Sequence, residues 1–171
     1  MNEAHLHLLV NHFPVVGAIV SLVALIVALA WNSKDFRKSA LIIALIFGLS
    51  AIPAYFSGEA AEEIAEEANA SHERIESHED AAKLATIAAI VSGLVAGGAL
   101  ALRNARPVGL SAAAFLFLIT AILMARAANS GGQIAHPEIR GDTSMVSPTT
   151  RNYSPSESDE KQGLNREEED D

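Results

Sequence analysis

Three of the six histidines, His5, His7 and His12, fall in the run from His5 to Pro14, at the mouth of a long apolar segment. An imidazole near hydrocarbon costs free energy unless something pairs with it, so such rings mark a candidate functional site. His72 and His78, the latter followed by Glu79, precede another apolar segment, and His136 follows the last one. Neutral imidazoles ligate haem iron, and imidazole with carboxylate suits zinc, iron or manganese. The chemistry on offer is therefore ligation. One reading is haem b held axially by His12 and His78. Another is a non-haem metal site drawn from His7, His12, His72, His78 and Glu79. A third is polar anchoring at an interface, with no cofactor.

Other chemistries are poorly served. With no cysteine there is no thiolate ligand, disulfide or cysteine nucleophile. Ser21, Ser50 and Ser92 stand singly in apolar segments, without the paired base that activates a serine. A net charge of −9 provides no basic face for phosphates, which argues against nucleic acid.

The elements that must position these residues are apolar helices. Half of the 171 residues are hydrophobic and only 5% aromatic. The apolar residues gather in blocks with the charges between them, the pattern of an all-α integral membrane protein. Spans are predicted over about 8–31, 39–57, 81–102 and 107–128. Pro14 predicts either a bend near Asn11 and His12 or a helix start, and Pro53 a second kink. The Gly93 to Gly98 stretch suits close helix contact. A cleavable signal peptide is not expected, because Glu3 is present and no Lys or Arg precedes the apolar run.

Between the second and third spans, Ala61, Ala65, Ala68, His72, Ile75 and Glu79 recur at three- and four-residue steps. They predict a separate amphipathic acidic helix over about 59–78. The Ser-, Pro- and acid-rich tail over 142–171 reads as disordered, leaving 1–141 as the membrane domain. Lys34, Arg37, Lys38, Arg103 and Arg106 lie in the two short links, so the positive-inside rule puts both links in the cytoplasm and both termini outside. All six histidines then fall on the outer side. In an up-down four-helix bundle the first and third helices are diagonal and converge on the axis, which brings His12 towards His78.

His7 and His12 with Phe13-Pro14, Gly58-Glu59-Ala60, His78-Glu79 and Gly131-Gly132 resemble the bacterial membrane proteins grouped as domain-of-unknown-function family 2231, over about residues 5–140. The resemblance implies four spans in a bacterial inner membrane. It carries no assigned activity, but in some relatives the domain is joined to a Rieske-type iron–sulfur domain, which implies a respiratory or redox setting. The leading expectation is thus a membrane subunit in which haem b is held near the outer face and electrons pass to a partner in a redox complex. The alternative is a structural or assembly subunit without cofactor. Self-association through Gly93 and Gly97 is left open.

Overall fold

The computed structural model describes residues 3–31, 33–67, 71–102 and 106–136. These form α1 (Glu3–Ala30), α2 (Lys34–Leu49), α3 (Ala51–Glu67), α4 (His72–Ala101) and α5 (Arg106–Ala135), with no strand among the described residues. Four stretches are long and apolar enough to cross a membrane: Glu3–Ala30, Lys34–Glu67 (which joins α2 and α3), His72–Ala101 and Pro107–Ala135. The shortest has 28 residues and, at a rise of about 1.5 Å each, reaches roughly 40 Å, more than the ~30 Å of hydrocarbon in a bilayer. The all-α expectation with four apolar helical stretches holds. The 142–171 tail lies outside the described residues.

Local chemistry sets the helix ends. Ser33 caps α2, its hydroxyl accepting from the Phe36 amide at 3.3 Å, which satisfies one of the donors orphaned at a helix start. Arg37 Nε donates at 3.1 Å to the Ala28 carbonyl, one of the unpaired acceptors at the end of α1. Trp31 stacks on Phe36 with ring centroids 5.8 Å apart, so the turn between α1 and α2 is tied at three points. Pro53 cannot donate to the Leu49 carbonyl, and α2 ends at Leu49. There the Ser50 hydroxyl donates to the Phe47 carbonyl at 2.7 Å. The interruption expected from Pro53 is therefore present. Pro14 lies buried inside α1, which starts at Glu3, so the helix start considered at Pro14 does not occur.

The separate acidic helix over 59–78 is corrected. Residues 59–67 continue α3, and α4 begins at His72 behind Ser71. The Ser71 carbonyl accepts from the amides of Arg74 and Ile75, the first bonds of a new helix. The stripe from Ala61 to Glu79 is thus cut between two helices, because a three-and-four periodicity does not reveal where the chain changes direction. Of its α4 members, Ile75 is buried while His72 and Glu79 are exposed.

The core is built from small side chains, with Ala18, Ala28, Ala40, Ala44, Ala85, Ala89, Ala96 and Ala113 all buried. Such residues let helix backbones approach closely. The closest approach joins α2 to α4: a methyl group added to Gly48 would meet the Ala89 carbonyl oxygen and the Gly93 Cα at 2.7 Å. Leu25, Leu41, Leu110 and Phe117 are the largest fully buried apolar side chains, while many others, among them Ile19, Val23, Ile26, Leu94, Phe115 and Ile122, are exposed.

α1 packs on α2, α3 and α5, and α4 packs on the same three helices. Along α1, His7, Gly17 and Ala28 meet Ser57, Phe47 and Arg37. Along α4, His78, Ser92 and Ala99 meet Ser130, Thr120 and Gly109. These contacts repeat one design. Pro14, Ala18, Ser21, Leu25 and Ala28 are buried on α1, and Ala85, Ala89, Ser92, Ala96 and Ala99 are buried on α4 at identical spacing. Ala40, Leu41, Ala44, Ala51 and Ala54 are matched in the same way by Ala113, Ala114, Phe117, Met124 and Ala127. The chain is therefore two helical halves with one burial register, α1–α3 and α4–α5.

Candidate functional site

The duplicated register places one histidine at the same position in each half. His7 and His78 stand at equal intervals ahead of Ser21 and Ser92, on the inward stripes of α1 and α4. Both rings are half-buried. His7 Nδ1 lies 3.0 Å from the Ser57 hydroxyl, which donates at 2.8 Å to the Ala54 carbonyl. His78 Nδ1 lies 3.1 Å from the Ser130 hydroxyl, which donates at 3.0 Å to the Ala127 carbonyl. That carbonyl also accepts from His78 Nδ1 at 3.0 Å. In the first half the Ala54 carbonyl faces the His7 ring, but the bond with good geometry is the one to Ser57.

A glycine follows each serine because the ring lies there. A methyl group on Gly58 would come within 3.2 Å of His7 Cε1, and one on Gly131 within 2.9 Å of His78 Cε1. In both halves, then, a serine holds the imidazole by Nδ1 and a glycine makes room for it. Neither Nε2 makes a hydrogen bond to a described residue. Paired imidazoles with Nδ1 engaged by hydroxyl and carbonyl, and Nε2 left for a ligand, resemble the outer-shell bonding of metal-bound histidines.

The other candidates are placed elsewhere. His12 is exposed, and its Nδ1 donates to the Leu8 carbonyl of its own helix. The half-buried ring on α1 is His7 rather than His12. His72 is exposed and lies 3.2 Å from Glu66, an exposed ion pair of the kind that contributes little. Glu79, His5 and His136 are exposed. No group of three or more His, Asp or Glu residues that could hold a metal occurs among the described residues, so His7, His12, His72, His78 and Glu79 are not gathered into one non-haem centre. A surface cleft is lined by Glu73, Glu76, Asp80, Leu84 and Arg126 and includes neither His7 nor His78.

Ser57 and Ser130 were not among the residues singled out from sequence. A signal for them exists: Ala54-Tyr55-Phe56-Ser57-Gly58 and Ala127-Ala128-Asn129-Ser130-Gly131 share the pattern Ala-x-x-Ser-Gly. The same pattern occurs a third time inside α4, at Ala89-Ile90-Val91-Ser92-Gly93, so the two copies beside histidines are told apart by their place at the ends of the second and fourth apolar segments. No family model matches the chain, and no curated protein or solved structure matches it.

Proposed function

We propose that the protein is a four-span, up-down membrane bundle in a bacterial plasma membrane, with both termini outside, that holds haem b between His7 and His78 and passes electrons to a partner. The observation that supports this reading is the pair of half-buried imidazoles from different helices, each held through Nδ1, with neither Nε2 bonded to a described residue. His7 and His78 would suit a haem held by two imidazoles, whereas a three-ligand zinc or iron site would need a third donor that is not gathered there among the described residues. His7 and His78 would be the ligands, and the bound group would supply one-electron chemistry. Exposed Ile19, Val23 and Ile26 beside an alanine core support lipid as the surrounding medium, since a soluble monomer rarely exposes such contiguous apolar surface. The basic links support the orientation. The resemblance to family 2231 is what points to a respiratory partner.

Purified protein is expected to show a Soret band and a reduced-minus-oxidised difference. A sample free of both haem and metal by spectrum and elemental analysis would sink the cofactor reading. A second reading, a scaffold or assembly subunit, draws on the same bonds: His7 to Ser57 ties α1 to α3, and His78 to Ser130 ties α4 to α5, which stabilises a bundle with no ligand present.

A further inference from the structure

We infer that Ser57 and Ser130 are positioning residues that hold His7 and His78 in the tautomer protonated at Nδ1, so that each half of the chain directs one Nε2 lone pair to a shared centre. The inference rests on the paired-imidazole reading only for what the lone pairs bind. A serine hydroxyl has one proton and can also accept. Each hydroxyl is placed to give that proton to a carbonyl, Ser57 to Ala54 at 2.8 Å and Ser130 to Ala127 at 3.0 Å. Each oxygen can then only accept from the imidazole beside it, which requires a proton on Nδ1. For His78 the requirement is doubled, because the Ala127 carbonyl at 3.0 Å from Nδ1 is an acceptor with no proton to give. A neutral ring protonated at Nδ1 carries its lone pair on Nε2.

The arrangement is built twice, by an Ala-x-x-Ser-Gly unit packed against the same register of the first helix of its own half. Gly58 and Gly131 both lie nearest the Cε1 edge of their ring, so the two imidazoles are seated alike. Two equivalent donors, one per half, describe a centre that takes a two-donor ligand group such as an axially bound macrocyclic metal. A metal requiring three protein donors would find one missing.

The test is long-range 15N–1H NMR on full-length, histidine-labelled protein in nanodiscs, free of metal and haem, at a pH where both rings are neutral. The wild type is expected to show protonated Nδ1 and bare Nε2 for His7 and His78. S57A is expected to move His7 towards the Nε2-protonated form and leave His78 unchanged, which also reports that the variant is folded. S130A should move His78 less, since the Ala127 carbonyl remains. S57T, which keeps a hydroxyl, should restore the His7 pattern. Wild-type rings protonated at Nε2, or a His7 pattern unmoved by S57A, would overturn the inference. With haem added, S57A should bind about 10- to 100-fold more weakly. Correct tautomers with no haem binding would refute the cofactor reading and leave the positioning role standing; haem binding by rings protonated at Nε2 beforehand would do the opposite.

Discussion

Ser21 on α1 and Ser92 on α4 occupy the same register and are both fully buried, yet only Ser92 has a partner in the facing helix. The Ser92 hydroxyl lies 2.9 Å from the Thr120 hydroxyl and is 2.7 Å from the Ala88 carbonyl, whereas the Ser21 hydroxyl makes no hydrogen bond. The position equivalent to Thr120 in the first half is Phe47, whose ring lies over Gly17; the equivalent of Gly17 in the second half is Ala88. A large ring over a glycine in one half thus replaces a small hydroxyl beside an alanine in the other. The two halves differ where Phe47 over Gly17 stands in place of Thr120 beside Ala88, but both keep Ala-Ile-Val-Ser at 18–21 and 89–92 and the imidazole, serine and glycine at the histidine end.

The comparison can be broken most severely at the histidines. H7A and H78A are each expected to abolish haem binding, and to equal extents if the half-sites are equivalent. A difference spectrum of each variant checks this, and a variant that kept the full wild-type signal would show that its half does not contribute.

Next comes the mid-helix exchange. If the halves were interchangeable, G17A would merely copy Ala88. Instead, the added methyl group would stand 2.2 Å from the Phe47 ring and 2.8 Å from its Cβ, so the neighbour cannot swing clear. A loss of about 1–3 kcal/mol is expected for such overpacking, read as a lowered unfolding midpoint in detergent. An unchanged midpoint would mean that the Phe47–Gly17 contact is looser than described.

The smallest effects belong to the buried serines. S92A should cost about 0.6–1.7 kcal/mol, the range for a hydrogen bond between membrane helices. Thr120 keeps its own bond to the Leu116 carbonyl at 3.0 Å, which favours the lower end. S21A should cost nothing measurable, because the hydroxyl it removes is already unpartnered. Equal losses in the two variants would show that Ser21 has a partner after all.

Much of this architecture is legible in the sequence, for a physical reason: apolar blocks longer than a bilayer is thick, separated by charges, leave few alternatives to long helices. The break at Pro53 was equally legible, since a missing N–H has a local consequence. The choice between His7 and His12 was not. The two lie five residues apart on one helix, about 140° around its axis, so they face different neighbours. Only the packing of α3 against α1 puts Ser57 beside His7 and leaves His12 exposed. The acidic segment failed for a related reason, because its alanine periodicity runs on in register across the boundary between α3 and α4. The Ala-x-x-Ser-Gly pattern is present in the sequence three times, at 54–58, 89–93 and 127–131, and only the coinciding burial registers of the halves single out the first and third.

The central claim, that His7 and His78 together hold a haem, is tested most directly by titrating haem into the full-length protein and its H7A, H78A and H12A variants and recording reduced-minus-oxidised spectra. A low-spin, two-histidine spectrum is expected in the wild type and H12A, and none in H7A or H78A. No haem spectrum in any of the four, or one lost in H12A and retained in H7A, would contradict the claim.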